Sequence, residues 1–266
     1  MEKLREKIKS LLDSDLCVAF SGGVDSSVIL KIACEEAKKL QKNVFAVTFE
    51  TKLHPFSDIE VSKKVAFDTG AIHHIIKVNE LENVDILNNP VDRCYKCKKY
   101  LFETLVDFAK EKGIKNVIEG TNFDDLSEYR PGIKALSELS IISPLAELEI
   151  SKEMVRKYAH ELGLSVSNRP SAPCLATRLP YNTKIDFELL EKIDLGETYL
   201  KELGFLVNRI RVHDDIARIE IKKEDFERFI AKNIEITKKL KEIGFVYITL
   251  DIEGFRSGSM DIYVKE

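Results

Sequence analysis

The chain has 266 residues, 44% of them apolar and 32% charged, so it can bury sizeable cores and does not have the composition of a disordered protein. Lys and Arg number 41 against 45 Asp and Glu; the net charge of -4 argues against a protein held to nucleic acid by its overall charge. No apolar run approaches the ~20 residues of a membrane span, and the opening MEKLREKIKSLLDS patterns as an amphipathic helix rather than a secretory leader, so a cytoplasmic protein is expected.

Through the first part of the chain, short apolar runs alternate with helical patterns. The runs are Leu16–Phe20, Val44–Phe49, Ile75–Val78, Val117–Glu119 and Ser140–Ile142. They are continuous rather than alternating, as in strands covered on both faces. Helices are expected over Ser26–Leu40, Asp58–Thr69, Cys94–Lys112 and Ser151–Leu162, the last closed by Gly163. This order predicts an α/β fold with a parallel, doubly wound sheet over residues 1–165. A Pro-rich interdomain loop over 166–183 carries Cys174. Residues 184–266 change rhythm and predict a smaller α+β domain. It starts with a helix near Asp186–Leu203, then one-sided strands at Val207–Val212 and Ala217–Ile221 around an Asp214-Asp215 turn. A helix from Lys223 to Ile243 follows, then strands at Phe245–Ile252 and Asp261–Lys265.

The strongest local signal is Ala19-Phe20-Ser21-Gly22-Gly23-Val24-Asp25-Ser26-Ser27, placed between the first strand and the first long helix. Glycines let backbone approach an anion, and the N–H groups at a helix start bind phosphate oxygens. Ser21, Ser26 and Ser27 add hydroxyl donors. No lysine stands where a Walker loop needs one, which disfavours γ-phosphate transfer. The plain alternative is a Gly-rich turn with Asp25 as an N-cap.

Five cysteines occur. Cys17 and Cys34 lie in apolar patterns and are expected to be packing residues. Asp92-Arg93-Cys94-Tyr95-Lys96-Cys97-Lys98 puts two thiols on one face of a helix start, where Arg93, Lys96 and Lys98 would favour thiolates. Such a pair serves as a redox couple, as half of a zinc site or in an iron–sulfur site. A structural zinc takes four ligands; with Cys174 there are three motif-like thiols, a number that suits a cubane cluster with one open iron. Three unrelated thiols is the plain alternative. Cys174 itself sits among Arg169, Arg178 and three prolines, on a loop suited to a sulfur donor or nucleophile. Arg209 and Arg211 are two apart on a strand and share a face, an arrangement that fits a phosphate.

Taken together, SGGVDSS, DRCYKCK, EGTNFDDLSEYRPG, RPSAPCLATRLPY, NRIRVH and LDIEGFRSGSMD stand in the order seen in the LarE sulfur transferases of the PP-loop ATP pyrophosphatase superfamily, and the chain resembles that family over its whole length. The superfamily resemblance implies that residues 19–27 hold the ATP pyrophosphate, with adenosine against Thr48-Phe49 and near Gly120. It also implies Mg²⁺ on the phosphates. Asp25 and Cys174 are assigned to catalysis, and Arg178 to ATP. The LarE resemblance implies a substrate, pyridinium-3,5-biscarboxylate mononucleotide, whose carboxylates are adenylated and converted in turn to thiocarboxylates for the nickel-pincer nucleotide cofactor of lactate racemase. It implies that Arg209, Arg211, Asp251 and Arg256 bind this substrate, Asp251 by holding the ribose or by orienting an arginine. Glu119 and Asp124-Asp125 either orient Mg²⁺ or Arg130 or fill ordinary N-cap and turn positions. It further implies a 4Fe-4S cluster on Cys94, Cys97 and Cys174 that takes hydrosulfide from a sulfide donor, and a homo-oligomer such as a hexamer. Family members with only the loop cysteine instead sacrifice its sulfur. A PP-loop tRNA thiolase and an ATP-dependent amidating synthetase are the competing readings.

Overall fold

A computed structural model describes residues 1–79, 84–127, 130–170, 173–256 and 258–260. The chain divides into two compact units. The first comprises Met1–Thr51, Phe56–Asn83 and Asp92–Ser171; the second comprises Lys52–Pro55, Val84–Val91 and Ala172–Glu266. Two short segments of the N-terminal half thus belong to the C-terminal unit, which a linear division of the sequence does not anticipate.

The N-terminal unit runs α1 (Glu2–Ser10), β1 (Leu16–Ala19), α2 (Val24–Lys39), β2 (Val44–Glu50), α3 (Ser57–Thr69), β3 (Ile72–Lys77), α4 (Arg93–Glu111), β4 (Asn116–Ile118), α5 (Gly132–Glu138), α6 (Pro144–Glu147) and α7 (Lys152–Glu161). Its four strands are parallel in the order β3-β2-β1-β4. Alternation along β1 feeds two cores. Leu16 and Val18 join Val28, Ile29, Ile32, Val65 and Val155 on one face, and Cys17 joins Val47, Leu101, Phe102 and Leu105 on the other. The expected α/β sheet covered by helices on both faces is therefore present. The strand order reverses beside β1, and at such a switch point the crevice beyond the carboxyl ends of the strands takes a ligand.

Some boundaries differ. β3 begins at Ile72, because His73 and His74 alternate on an edge strand instead of forming an apolar run. Ser140–Ile142 contributes only the isolated bridge Ile118–Ile142. The short helices α5 and α6 carry too little periodicity to be read from the sequence. Gly163 follows α7 with φ +65, the left-handed conformation expected of it.

The C-terminal unit contains α8 (Phe187–Glu202), β5 (Asn208–His213), β6 (Ile216–Ile221), α9 (Phe226–Ala231), α10 (Asn233–Ile243) and β7 (Tyr247–Leu250). β5 and β6 form the expected antiparallel hairpin, with β7 parallel to β6. The single helix expected over Lys223–Ile243 is broken at Lys232 into α9 and α10. The expected final strand at Asp261–Lys265 lies outside the described residues. Gly196 lets α8 lie close on β5, since a Cβ there would meet Ile210 Cδ1 at 2.6 Å. β5 is not one-sided: Asn208 to Val212 are all buried, arginines included.

Candidate active site

The phosphate loop is built mainly from backbone. Gly22 takes φ +71, which strains any side chain, and a Cβ there would stand 3.1 Å from the Ser62 nitrogen. Gly23 caps α2 without a side-chain hydrogen bond to the first turn, so the N–H groups of that turn lack an intrahelical acceptor. The hydroxyls of Ser26 and Ser27 donate to the Gly23 carbonyl at 3.2 and 2.7 Å, and the Ser21 oxygen lies 3.2 Å from that of Ser26. Gly120 closes the other wall; a Cβ there would come within 2.8 Å of the Ser26 nitrogen.

Asp25 is no N-cap; it is the second residue of α2. Its carboxylate forms an ion pair with Lys152 at the start of α7 and accepts from Asn122 Nδ2 at 3.2 Å. The loop has no lysine of its own, and the fold supplies one from 127 residues downstream. Asp124 holds the Lys152 backbone nitrogen at 2.9 Å. Asp125 pairs with Arg130 at 2.7 Å; burial pushes its carboxyl up, Arg130 opposes, and the nearby Asp25 adds to the rise. Sequence reasoning missed Lys152 and Asn122. The available signal was Ser151, which caps α7 through Met154 N–H and so puts Lys152 at a helix start.

Thr48 is buried, and its hydroxyl donates to the Phe20 carbonyl at 2.7 Å. His73 Nε2 lies 2.9 Å from the same oxygen, so with the hydroxyl proton spent on Phe20, Nε2 carries the proton it donates. Burial lowers the pKa of His73, with Lys63 and His74 adding to the effect. The Thr48 side chain thus braces the loop, while Phe49 packs against the second core. Glu119, buried at the end of β4, accepts from Thr121 N–H, the Thr121 hydroxyl and Ser143, with Lys98 Nζ at 3.6 Å. Arg169 donates to the Gly22 carbonyl at 3.1 Å and to Asp58 of α3 at 2.6 Å, so it braces the loop from within the same unit.

Cys94 and Cys97 lie in the first turns of α4, both half-buried. Arg93, fully buried, donates to Cys94 Sγ at 3.3 Å. Lys96 pairs with Asp92 at 3.1 Å, and Lys98 lies 3.6 Å from Glu119. Burial pushes Cys17 up to about 12 and Cys34 to about 11, so both are inert packing thiols. Among the described residues no three His, Cys, Asp or Glu side chains are gathered closely enough to hold a metal ion. Cys174 belongs to the C-terminal unit.

That unit holds a buried ion network. Arg209 and Arg211 share a face of β5, as expected, opposite Glu220 and Arg218 of β6. Glu220 is fully buried and takes Arg211 at 3.2 Å, Arg218 at 3.4 Å and the Ser259 hydroxyl at 2.6 Å. Asp251 holds Arg218 at 2.5 Å and Arg256 at 3.0 Å, so its carboxylate orients two arginines. Burial, opposed by Glu197 and abetted by Arg178 and Arg211, pushes Arg209 down to about 10; its guanidinium also lies 5.3 Å from the Phe255 ring centroid. The guanidiniums of Arg209 and Arg211 both feel the carboxylates of Glu197 and Glu220, and they repel Arg178 beside them. The Nε atoms of Arg218 and Arg256 are buried without a hydrogen-bond partner among the described residues. Glu197, Glu220 and Arg218 were missed in the sequence. For Glu220 and Arg218 a signal existed, because β6 alternates in phase with β5 and faces two arginines.

Arg178, expected on ATP, is 1% exposed. Its Nε and Nη2 each donate to Glu197 at 2.8 Å, and Nη1 is spent on Pro173, Cys174 and Thr177. With every nitrogen occupied inside the C-terminal unit, it is a brace rather than a nucleotide contact.

Comparison with known proteins is consistent with this arrangement. The family model described as Asparagine synthase matches residues 2–100, the stretch that carries the loop. The chain is 36% identical to the pyridinium-3,5-bisthiocarboxylic acid mononucleotide synthase of Lactiplantibacillus plantarum, over 92% of this chain and 88% of that one. The chain belongs to the LarE family of ATP-dependent sulfur transferases. Two further relatives match this LarE-family chain along nearly its whole length: uncharacterised proteins of Synechocystis (38% identical; 92% and 91% covered) and Methanocaldococcus jannaschii (32%; 96% and 94%). The tRNA-specific 2-thiouridylase MnmA of Rickettsia bellii is 28% identical over only 60% of the chain and 52% of its own. The competing thiolase reading therefore accounts for less of the LarE-family chain. No helix among the described residues is long and apolar enough to cross a membrane.

Proposed function

We propose that the chain uses MgATP to adenylate a carboxylate of pyridinium-3,5-biscarboxylate mononucleotide and replaces AMP with sulfur, each carboxylate in turn, in nickel-pincer nucleotide biosynthesis. The observation that carries this reading is the uncapped N–H cradle of α2, with Lys152 held beside it by Asp25, in a LarE-family chain. A carboxylate is a poor electrophile. Attack of its oxygen on the α-phosphorus expels pyrophosphate and leaves an acyl adenylate, and sulfur attack at the acyl carbon then expels AMP. The cradle and Lys152 would take the charge that develops on pyrophosphate. Mg²⁺ would screen the phosphates, with Asp25 and Asp125 the carboxylates at hand. The arginines of the C-terminal unit, with Arg209 and Arg211 buried on one face of β5 and Arg218 opposite them, suit the substrate's phosphate and carboxylates.

We assign Cys94, Cys97 and Cys174 as ligands of a 4Fe-4S cluster, because the donor set is three motif thiols and the other two cysteines are inert. Bound there, the cluster would supply an open iron for hydrosulfide from a sulfide donor. A cluster held by thiols suits the reducing cytoplasm, and the resemblance to the LarE family implies a homo-oligomer. The test is anaerobic incubation with MgATP, the nucleotide and sulfide, read by mass spectrometry alongside iron and acid-labile sulfide content. AMP, pyrophosphate and thiocarboxylate are expected; ADP and inorganic phosphate as primary products would overturn the reading. Iron absent from the anaerobically purified protein, or Cys174 turned to dehydroalanine in step with product, would restore the sacrificial route.

A further inference from the structure

Cys174 stands at the entry of a single 3₁₀ turn, Leu175–Arg178, and its main chain is held with unusual thoroughness for a loop residue. Its carbonyl accepts three donors: Thr177 N–H at 3.1 Å, the Thr177 hydroxyl at 2.7 Å and Arg178 Nη1 at 3.2 Å. One residue on, Leu175 N–H donates to Leu53 O at 2.7 Å, and Leu175 and Ala176 are buried. Arg178 Nη1 also donates to the Thr177 hydroxyl at 2.8 Å and to the Pro173 carbonyl at 3.1 Å, so one guanidinium arm fastens both sides of the cysteine. The other two nitrogens meet both oxygens of Glu197, a fully buried carboxylate on α8 that also accepts Ile210 N–H at 3.0 Å. Arg211 reaches the same turn through the Thr177 carbonyl at 2.8 Å.

Removing two charges from water costs several kcal/mol per ion before pairing repays it. An apolar pair could fill the same space, but it could not present a third donor to the Cys174 carbonyl. The half-buried sulfur is thus carried on a backbone that is clamped from α8, while the turn shares Arg211 with the phosphate-binding face. We infer that Arg178, Glu197 and Thr177 are positioning residues that fix the Cys174 main chain, and through it the direction of its sulfur. Misplacing a reacting atom by about 1 Å costs on the order of a hundredfold in rate, so a clamp of this kind sets the delivery step and leaves adenylation alone. The inference rests on the reading of Cys174 as the residue that carries or ligates the transferred sulfur.

Thr177→Val removes the hydroxyl with little change of shape, and Thr177→Ser keeps it. Each variant is tested in three ways: substrate-dependent pyrophosphate release, thiocarboxylate formation, and the rate of Cys174 alkylation relative to Cys94 and Cys97. Thr177→Val is expected to lower thiocarboxylate formation roughly tenfold to hundredfold and to shift Cys174 alkylation severalfold, with pyrophosphate release within about twofold of wild type. Thr177→Ser should restore both. Arg178→Lys, which keeps the charge but cannot bridge Glu197 and Cys174 together, should act in the same direction. Should Arg178→Lys fail to fold, as its thermal midpoint would reveal, the Thr177 pair decides alone. Altered alkylation with unchanged delivery would leave the clamp standing and remove Cys174 from sulfur transfer. Unaltered alkylation, or an equal loss of pyrophosphate release, would overturn the inference.

Discussion

The phosphate loop and the buried arginine network of the C-terminal unit are built from different materials. The phosphate loop is a contiguous stretch whose donors are mainly backbone N–H groups at the start of α2, with glycines making room. The C-terminal network is made of side chains drawn from β5, β6, α8 and the segments after β7, and its charges are buried against one another. A backbone site costs little stability to keep, because its groups belong to a helix that forms anyway. A side-chain network of arginines is held by carboxylates, backbone carbonyls and hydroxyls from separate elements, so it exists only where folding brings them together.

The largest test of that contrast is Glu197→Ala. It leaves Arg178 buried and unpaired, and the C-terminal unit should lose about 3–5 kcal/mol by denaturant unfolding. A loss no larger than at a surface site would mean the pair is not a structural clamp. Lys152→Ala makes the opposite prediction for the loop. The pair with Asp25 is partly exposed, so stability should change by less than about 1 kcal/mol. Adenylation, losing a charge-assisted contact of ~1.5–3 kcal/mol, should slow roughly tenfold to hundredfold. Parallel loss of stability and rate would blur the distinction. Gly120→Ala lies between these cases. Its Cβ would press on the Ser26 backbone, costing about 1–3 kcal/mol and raising the KM for ATP; an unchanged KM would show that the loop yields.

The smallest effect is in pH. Burial opposes ionisation of Glu197, yet Arg178, with Arg209 and Ile210 N–H, holds its carboxyl below the ordinary value. Burial likewise opposes Asp251, outweighed by Glu253 N–H, Arg218 and Arg256. Groups with depressed folded pKa values contribute stability that is complete above the ordinary carboxylate range and lost as pH falls through the folded value. The thermal midpoint of the C-terminal unit should therefore drop on acidification below about pH 4, and less so in Glu197→Gln. The same slope in both would remove Glu197 from the account.

The same contrast explains what could be read from the sequence. Local features were legible: β1 and β2, the turn from Ala19 to Ser27, the CxxC face of α4, and the shared face of Arg209 and Arg211. Residues whose role depends on a distant partner were not. Lys152 looks like any surface lysine until α7 places it at Asp25, and Arg178 looks like a loop cation until α8 brings up Glu197. The helix expected over Lys223–Ile243 failed because its apolar positions continue through the break at Lys232. The small helices after β4 were too short for periodicity to appear.

The central claim, that a substrate carboxylate oxygen attacks the α-phosphorus at the loop of α2, is tested most directly by following that oxygen. With pyridinium-3,5-biscarboxylate mononucleotide carrying heavy oxygen in its carboxylates, and with MgATP and sulfide supplied anaerobically, each thiocarboxylate formed should leave one labelled oxygen on AMP and none on pyrophosphate. Unlabelled AMP, or label appearing in inorganic phosphate, would contradict the account.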